Sequence, residues 1–508
     1  CIRDRKVCVC EPGYRLGELE QALKGTGLFV PPDPSSGEYA TFGGMYATNA
    51  SGAHSVKYGN VADYIEDAQV VLGTGLVTWL GEIGTQPVQD LPPQLERLFR
   101  LYEKNQADIE SAYPSIRFNS SGYNLRGMVQ NEYLDLRRLL AGSEGTLGIS
   151  TRLKFRLIEK PAADSLVIAY FSDIDRSARA VAQILPMAPA GIEIMDKSLL
   201  QLARENQPHL RDKIPSGVDN VLLIEFDAER QDACQEKARL TRRLLEKQNL
   251  SQTVYFPETE AEKQRFWAVR KAAVPILYKL KGRRKILALI EDAAVPTDQL
   301  APYIKGIYRT LARHKVRFVI YGHIAKGLLH TRPLLDLKAA EDVVLLKTLA
   351  DEIFALVYRL GGAISGEHGD GRLRSAYIQR QYPGIYPLFE KTKHLLDPDH
   401  ILNPDILHSR NPSQMREQLR FGSQYRGRFT VRPHLSWPDG IEAEIESCHG
   451  CSKCTTVTTA TRMCPVYQLT RHETASPKAK ANSLRALITG SVEDQQLYAQ
   501  TFQAVMQW

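Results

Sequence analysis

Two short stretches in the second half of the chain combine histidines and an acid with glycines. The first contains His323 and His330, and the second, Gly-Glu-His-Gly-Asp-Gly, contains Glu367 and His368. Glycine lets backbone approach a bound group closely, and imidazole and carboxylate are common ligands of a divalent metal. These side chains predict a metal site with a base beside it. A single histidine after a strand is more often a structural, hydrogen-bonded residue, so the prediction depends on both stretches.

A strand, a helix and a second extended piece must bring these stretches together. Residues 315–321 are apolar and β-branched, which predicts a strand that ends just before His323. Apolar residues at helical spacing over 346–360 predict a helix that ends at Gly361 and Gly362, and residues 363–364 follow as an extended piece. We therefore expect both ligand sets on loops at one edge of one sheet, where functional residues usually collect.

The composition excludes several classes of protein. A chain of 508 residues predicts two or three domains, each with its own core. A net charge of +7 with 24% charged residues is ordinary and does not indicate nucleic-acid binding. The sequence contains no apolar run of about 18 residues or more, so it predicts no membrane span.

Half of the eight cysteines lie in one short cluster near the end of the sequence. A disulfide scaffold is a poor explanation for this distribution in so long a chain. It indicates a reducing compartment and one metallic cluster. The cysteines are Cys1, Cys8, Cys10, Cys234, Cys448, Cys451, Cys454 and Cys464.

Two segments are rich in glycine and small hydroxyl residues. The first, residues 40–55, could bring backbone N–H groups and hydroxyls against phosphates or a flat ring, although a surface loop has the same composition. The second, residues 141–149, leads into a predicted strand over 150–157. It lacks the Gly-Lys-Ser/Thr end of a nucleotide P-loop and does not open a helix as a dinucleotide fingerprint does. A different cofactor fold is therefore needed.

These segments resemble a known flavoprotein family. Glu-Pro-Gly at 11–13, residues 32–36 and 40–52, Lys-Tyr-Gly at 57–59, and residues 142–149 are similar to the FAD-binding domain of the vanillyl-alcohol-oxidase type. Residues 266–271, 291–296, 323–330 and 367–368 resemble the D-2-hydroxy-acid dehydrogenases of that superfamily, which include the flavin-binding chain of glycolate oxidase and the D-lactate and D-2-hydroxyglutarate dehydrogenases.

The resemblance implies a set of FAD-binding positions in the two glycine-rich segments and beside them. They are Pro32, Asp33, Ser35, Thr41, Gly43, Gly44, Thr48, Asn49, Ser51, Gly52, Tyr58, Gly59, Gly142, Glu144, Gly145, Thr146, Gly148 and Ile149.

The resemblance also implies roles in oxidation of a D-2-hydroxy acid. His323, His330 and Glu367 are the implied metal ligands, with zinc the expected metal and manganese or iron the alternatives. His368 is the implied general base. Arg270 is expected to bind the substrate carboxylate as a fork, and a helix surface charge is the alternative for it.

Lys326 departs from the family pattern. Many relatives carry Gly-Asp-Gly-Asn within this histidine stretch, whereas this chain has Ala-Lys-Gly-Leu at 325–328. A positive charge where an acid is common either attracts the second carboxylate of a diacid or faces solvent.

The cysteine cluster has iron–sulfur spacing. Two residues separate Cys448 from Cys451 and Cys451 from Cys454, so three thiolates can surround one cubane, and Cys464 before proline is similar to the closing cysteine of such a run. Nine residues separate Cys454 from Cys464, where bacterial ferredoxins have three. A zinc site with four thiolates is the alternative.

Residues 463–487 resemble large fused proteins that join the flavin module to an iron–sulfur segment. In two-cluster ferredoxins the cysteine before proline ligates the other cluster, so Cys464 belongs either to such a second cluster or to one cluster with the other three. No Arg-Gly-x-Gly-Thr-like loop precedes residue 11, and no second cysteine run follows. We expect a fragment shortened at both ends.

The predicted fold class is α+β. We expect a partial FAD-binding domain over 1–157, an α+β cap with the metal site over 158–410, a linker over 411–445 and the start of a 4Fe-4S ferredoxin-type domain over 446–508. Within the cap, residues 166–171 and 221–226 predict strands and residues 177–185 and 232–248 predict amphipathic helices.

The predicted function is FAD-dependent, metal-assisted oxidation of D-2-hydroxyglutarate or D-lactate, with electrons leaving through the iron–sulfur centre. A quinone, a cytochrome or an electron-transfer protein is the expected acceptor, and the cytoplasm or the inner membrane face is the expected location. The alternatives are a glycolate-oxidase-type protein, an electron carrier with an inactive flavin domain, and a zinc hydrolase, which the missing His-Glu-x-x-His helix disfavours.

Overall fold

The computed structural model describes residues 5–206, 217–278, 282–417, 419–428, 436–457, 464–492 and 495–506. Its strands are β1 Val7–Cys10, β2 Leu28–Phe29, β3 Ile65–Leu72, β4 Val77–Trp79, β5 Val129–Gln130, β6 Tyr133–Leu134, β7 Gly148–Arg156, β8 Ile158–Glu159, β9 Ala163–Phe171, β10 Gly191–Asp196, β11 Asn220–Ala228, β12 Thr253–Tyr255, β13 Lys285–Ile286, β14 Phe318–Gly322 and β15 His330–Leu335.

The α-helices are distributed along the whole chain and several are single turns. They are Leu16–Ala22, Phe42–Ala47, Ser55–Tyr58, Leu80–Ile83, Pro93–Lys104, Gln106–Ala112, Arg137–Leu140, Ile174–Ile184, Lys197–Asn206, Gln231–Lys247, Glu260–Tyr278, Leu300–Arg313, Ala340–Arg359, Gly371–Arg374, Ile378–Gln381, Tyr386–Leu396, Ile441–Glu446, Pro465–Thr470, Pro477–Thr489 and Gln495–Met506.

A small antiparallel sheet organises the first part of the chain. Its strand order is β1-β7-β3-β4. β1 pairs with β7 from Val7 opposite Arg156 to Cys10 opposite Leu153, and β3 lies on the other side of β7. Leu153 and Phe155 alternate along β7 with more exposed residues, so one face of this sheet packs on a core.

A large antiparallel sheet forms the second part, with strand order β12-β9-β11-β10-β14-β15-β13. β9 shows why its sequence is a continuous apolar run: Val167, Ala169 and Phe171 pack into one hydrophobic cluster, while Leu166 and Ile168 pack into another on the opposite face. Both faces of this sheet are therefore covered.

Helices pack on both faces of the large sheet. Helices Ile174–Ile184, Leu300–Arg313 and Ala340–Arg359 pack against one another and contribute to the larger cluster. Helices Lys197–Asn206 and Glu260–Tyr278 lie on the other face, beside β14 and the strands that flank it. This layered α+β arrangement agrees with the predicted fold class.

After the large sheet the chain returns to the first core. Ile378, Tyr382, Phe389 and Leu396 are buried in the hydrophobic cluster of the small sheet, and residues 378–407 contribute further members to it. The two cores are therefore built from segments that interleave along the sequence.

The hairpin β14–β15 corrects part of the predicted site architecture. The expected strand ends at Gly322, but the next strand in space is antiparallel β15, and His330 is its first residue rather than a loop residue. Gly327 turns the hairpin with a φ of 73°, and a Cβ there would collide with the carbonyl oxygen of Val295. Instead of joining β14, Ala363 forms an isolated bridge with Ala294.

The last hundred residues contain short elements. Where the structure describes the predicted linker over 411–445, it contains the 3-10 turn Gln414–Arg416 and the start of the helix Ile441–Glu446, while Pro433 lies outside the described residues. Within the described ranges, no helix is long and apolar enough to cross a membrane.

Candidate active site

Three imidazoles surround one oxygen of Glu367. The Nε2 atoms of His323, His330 and His368 lie 3.2, 3.4 and 3.3 Å from Glu367 Oε1. The rings of His330 and His368 are stacked, with centroids 5.2 Å apart, while the rings of His323 and His330 are nearly perpendicular. The four side chains that the sequence singled out therefore converge on one point.

A second layer of carboxylates holds the far sides of these rings. Glu193 Oε1 lies 2.5 Å from His323 Nδ1, and Glu291 Oε1 lies 3.0 Å from His368 Nδ1. Glu291 Oε2 is 3.3 Å from His330 Nδ1. Carboxylates that contact the outer ring nitrogen fix the orientation of a ligating histidine.

Asp292 positions the loop that carries Glu367 and His368. Its Oδ1 accepts a hydrogen bond from the backbone N–H of Glu367 at 3.0 Å, and its Oδ2 accepts from the N–H of His368 at 2.9 Å. The Ser365 hydroxyl donates to Oδ2 at 2.5 Å. Asp292 itself has a φ of 78°, so the ligand loop is fixed by a buried carboxyl in a conformation that costs energy.

The histidines differ in their proton affinity. Burial lowers the pKa of His330 to about 3. Burial also acts against charge on His323, but the carboxylates of Glu193 and Glu367 raise its pKa. For His368, Asp292 and Glu291 outweigh burial and hold the pKa well above its usual value.

The carboxylates of Glu367 and Glu291 are held ionised, whereas burial raises the pKa of Asp292. Burial alone would raise the pKa of Glu367, but Lys326 and His323 keep it well below its usual value. Arg332 and His368 have the same effect on the pKa of Glu291, again against burial. Glu367 and Glu291 are therefore ionised although both are buried.

This donor set fits a divalent metal. Asp292, His330, Glu367 and His368 each offer an atom within 4.8 Å of the others, and His323 Nε2 approaches the same Glu367 oxygen. Imidazole nitrogens with one carboxylate oxygen match the ligands of catalytic zinc sites.

Lys326 does not face solvent, which was one of the two expectations for it. Its side chain is fully buried, which excludes a solvent-facing role, and its Nζ donates to Glu367 Oε2 at 2.7 Å and to Ser51 Oγ at 2.9 Å. Ser51 Oγ also donates to Glu367 Oε2, at 2.7 Å. The ammonium group thus has two partners within the protein.

Arg270, predicted to bind the substrate carboxylate, lies beside the site and contacts Glu193. Its Nε donates to Glu193 Oε2 at 2.7 Å and its Nη2 lies 2.6 Å from the same oxygen. Its guanidinium also covers the Tyr321 ring at 4.7 Å. The residue is buried, which rules out the alternative of a surface charge.

The two glycine-rich segments adjoin each other. The N–H of Gly142 donates to Tyr46 O at 3.0 Å, and that of Glu144 donates to Ala47 O at 2.8 Å. The first segment is partly helical, over Phe42–Ala47, with Thr41 as its N-cap, so it is neither a surface loop nor a fully extended cradle.

Several predicted FAD positions already have partners in the protein. Asp33 Oδ2 lies 2.5 Å from His54 Nδ1, and Tyr58 donates to Asp227. Glu144 accepts from the N–H groups of Asp370 and Gly371 at 2.7 and 2.9 Å. These side chains connect the glycine-rich segments and their neighbours to the large sheet and to the loop that carries Glu367 and His368. The close approach of the segments, with glycine at 142 in a left-handed conformation, fits a cofactor that lies against backbone.

A connecting loop escaped the sequence reasoning. Ser120 donates through its N–H to Ser365 O at 2.9 Å, and Ser121 Oγ and Gly122 N donate to the Asp370 carboxyl at 3.0 and 2.7 Å. Asn49 and Gly142 line a small cavity together with this loop. Its Asn-Ser-Ser-Gly run has the same composition as the two segments that were noticed.

Glu193 was also missed. It lies within the apolar run of β10, fully buried, and supports both His323 and Arg270. A lone acid in a strand of otherwise apolar residues was the available signal, since a buried charge needs a partner.

The cysteine cluster is only partly described. Cys451 is exposed, and Cys454 and Cys464 are buried. Burial raises the pKa of the Cys454 thiol, and the nearby Cys448 and Cys451 add to that effect. Cys464 Sγ accepts from the N–H of Tyr467 at 3.4 Å and so caps a helix. Residues 458–463 and Cys1 lie outside the described residues.

Comparisons with known proteins cover most of the chain. A family model described as FAD binding domain matches residues 2–81, and one described as FAD linked oxidases, C-terminal domain, matches residues 160–406. D-2-hydroxyglutarate dehydrogenase of Pseudomonas putida is 28% identical over 95% of this chain and 49% of its own length. The chain thus spans about half the length of this relative.

Two shorter relatives are covered more fully. Glycolate oxidase subunit GlcD of Bacillus subtilis is 28% identical over 78% of this chain and 73% of its own. D-lactate dehydrogenase of Archaeoglobus fulgidus is 27% identical over 79% and 77%.

Solved structures share the fold. 4-Ethylphenol oxidase from Gulosibacter chungangensis superposes with a TM-score of 0.57 at 14% identity, over 80% of this chain and 77% of that one. p-Cresol methylhydroxylase gives 0.56 at 14% identity, over 80% and 76%. The architecture is that of the vanillyl-alcohol-oxidase type of flavoprotein.

Proposed function

Because the chain belongs to the FAD-linked oxidases, we propose that it oxidises a D-2-hydroxy acid to the 2-oxo acid, with FAD as oxidant and a divalent cation held by His323, His330 and Glu367. The observation that carries this proposal is the convergence of three Nε2 atoms on one oxygen of Glu367. Ser51, in a predicted FAD-binding segment, donates to the other oxygen of the same carboxylate.

The names of the relatives support this substrate class. By their names, these relatives act on D-2-hydroxyglutarate, glycolate and D-lactate. All three compounds have a hydroxyl group on the carbon beside a carboxylate. We propose D-2-hydroxyglutarate or D-lactate as the substrate of this chain.

His368 is the base in this proposal. Its side chain is 40% exposed, whereas those of His323 and His330 are 10% and 5% exposed, so it is the imidazole that a substrate can reach. Glu291 lies on its Nδ1, and because the pKa of His368 is raised, the imidazole must lose its own proton before Nε2 can take that of the hydroxyl. The same carboxylate stabilises the imidazolium that results.

The rest of the site orients the substrate and supplies charge. A divalent cation, when bound, polarises the hydroxyl and carboxylate of the substrate. FAD, when bound, accepts the hydrogen of the α-carbon with its two electrons. Arg270, held by Glu193 on one edge, is the proposed partner of the substrate carboxylate.

We propose that Cys448, Cys451, Cys454 and Cys464 bind a 4Fe-4S cluster that takes electrons onward to a quinone, a cytochrome or an electron-transfer protein. Their segment lies against the first part of the chain, where Arg15 donates to Thr455 O at 3.1 Å and to the Tyr467 hydroxyl. This contact places the cysteine segment beside the first part of the chain. A four-thiolate zinc site remains the alternative, and the iron and acid-labile sulfide content of the purified chain distinguishes the two.

The decisive test is anaerobic bleaching of the flavin absorbance. The FAD-loaded chain is mixed with D-2-hydroxyglutarate, D-lactate or their L enantiomers, and we expect rapid bleaching with a D enantiomer only. His368→Ala should slow bleaching by about 100-fold or more while FAD stays bound. His394→Ala, which changes an exposed histidine on the helix Tyr386–Leu396, is the matched control and should bleach as the unaltered chain does.

Bleaching of the His368→Ala chain at the unaltered rate would remove His368 from the role of base. No bleaching of the unaltered chain by any of these acids, with FAD bound, would instead favour an electron carrier with an inactive flavin domain.

A further inference from the structure

Lys326 is a fully buried cation at the edge of the proposed metal site. Its Nζ lies 2.7 Å from Glu367 Oε2, the oxygen that faces away from the three imidazoles, and 2.9 Å from Ser51 Oγ. The Phe118 ring lies 5.0 Å from the same nitrogen. Oε1 is the oxygen of Glu367 that faces the three imidazoles.

The other central carboxylates are also paired with cations. Arg270 Nη2 lies 2.6 Å from Glu193 Oε2, and Arg332 Nη2 lies 2.7 Å from Glu291 Oε2. With Lys326 on Glu367, each of these three acids has a positive partner. A divalent cation that enters this site therefore meets Glu193, Glu291 and Glu367 already paired with cations, and Asp292, with Arg374 4.0 Å away, is the remaining carboxylate.

We propose that Lys326 is a positioning residue that holds Glu367 by its outer oxygen and keeps the affinity for a divalent cation low until an anion binds with it. This inference rests on the proposed metal site and deepens it. Like charges in a buried site repel strongly because little solvent screens them. A bound 2-hydroxy or 2-oxo acid brings the negative charge that offsets this repulsion, so cation and anion should bind cooperatively.

Binding of Mn²⁺ to the FAD-loaded chain, followed by the electron paramagnetic resonance signal of the free ion, tests this proposal without any turnover. Mn²⁺ prefers oxygen and nitrogen ligands over thiolates, so the cysteine cluster does not compete for it. Pyruvate serves as the anion because it is already oxidised. His330→Ala identifies the fraction of Mn²⁺ that binds at the proposed site.

Two substitutions remove the charge of Lys326. Lys326→Met leaves Glu367 with Ser51 as its partner, and Lys326→Gln keeps a hydrogen-bond donor in case the apolar variant does not fold. Lys347→Met makes the same change in a helix-surface ion pair with Asp351 and controls for the net charge.

We expect pyruvate to tighten Mn²⁺ binding to the unaltered chain by about tenfold or more, within the usual range of coupling between sites. Either Lys326 substitution should tighten binding without pyruvate by about tenfold and should reduce the effect of pyruvate. Lys347→Met should change neither quantity.

Affinity in the Lys326→Gln chain that equals or falls below that of the unaltered chain would overturn the role of Lys326 while leaving the metal site intact. Absence of any Mn²⁺ binding that depends on His330, in every variant, would overturn the metal site itself and with it the metal-assisted part of the proposed function.

Discussion

Single residues at this site act through the carboxylates behind the histidines. The Glu193 carboxylate contacts both His323 and Arg270. The Glu291 carboxylate contacts His330, His368 and Arg332. A buried carboxylate that orients a ligand is expected to matter nearly as much as the ligand itself. The residues that the sequence reasoning missed are therefore as testable as those it found.

Glu193→Gln is the first test at this scale. Removing the charge while keeping the shape should lower the rate of flavin bleaching by about 10- to 100-fold, because His323 and Arg270 lose the partner that orients them. Stopped-flow absorbance with a D-2-hydroxy acid measures this rate. Glu352→Gln changes a comparable acid, which accepts from His314 and Arg313 on the surface, and should leave the rate unchanged. Equal rates in both variants would show that Glu193 has no part in positioning.

The ligands could be predicted because histidine, glutamate and glycine occur together over a few residues. Glu193 could not be predicted in the same way, since it lies about 130 residues before His323 and reaches it only through the pairing of β10 with β14. Long-range pairing of this kind leaves no local pattern.

At the scale of elements, the hairpin β14–β15 sets the spacing of His323 and His330. Gly327 closes the hairpin in the left-handed region, and its α-carbon packs directly against the Val295 carbonyl. The turn thus needs glycine for two separate reasons, the backbone conformation and the lack of space.

Gly327→Ala separates these two reasons when it is compared with Gly361→Ala. Gly361 has a φ of 69° but open space around its α-carbon, so alanine there should cost only the conformational strain of about 1–2 kcal/mol. Alanine at 327 should cost about 1–3 kcal/mol more, because Val295 must move. Urea denaturation followed by circular dichroism measures both losses, and equal losses would mean that the hairpin relaxes freely.

Several predicted elements are confirmed, two of them to within two residues, while the helix expected over 346–360 begins six residues earlier, at Ala340. The strand expected over 221–226 is β11, and the helices expected over 232–248 and 346–360 are Gln231–Lys247 and Ala340–Arg359. Periodicity was sufficient there because each element buries a regular face. The strand–helix–strand arrangement around the site was wrong, because Ala363 pairs with Ala294 rather than with β14, and the sequence carries no sign of that partner.

At the scale of the whole molecule, polar contacts join the glycine-rich segments to the large sheet. His54 lies between Asp33 at 2.5 Å and Glu225 at 3.0 Å, and Trp267 donates to the other oxygen of Glu225 at 2.8 Å. Lys57 and Tyr58 both contact Asp227. The two parts of the chain are thus held together by a short row of ionic contacts.

The His54 contact should make stability depend on pH. Asp33 and Glu225 raise the pKa of His54 well above its usual value against the effect of burial, so its contribution is complete below about pH 6.5 and is lost as the pH rises through the raised value. The pKa of Asp33 is lowered, again against burial, so this contact also persists to acidic pH.

We therefore expect His54→Gln to lower the unfolding temperature by roughly 2 °C near pH 6, and by less as the pH is raised to about 10. Differential scanning fluorimetry over this range measures the difference. A gap between the two chains that stays constant or widens with rising pH would contradict the assignment of His54 as the charged partner.

The return of residues 378–407 to the first core has a consequence for how such a chain can change by recombination. A single crossover between related genes near codon 158 would inherit the small sheet from one parent and the helices that cover it from the other. Mismatched packing at Phe389 and Tyr382 would follow. Viable hybrids need a double exchange, so the two halves of this molecule are expected to descend together.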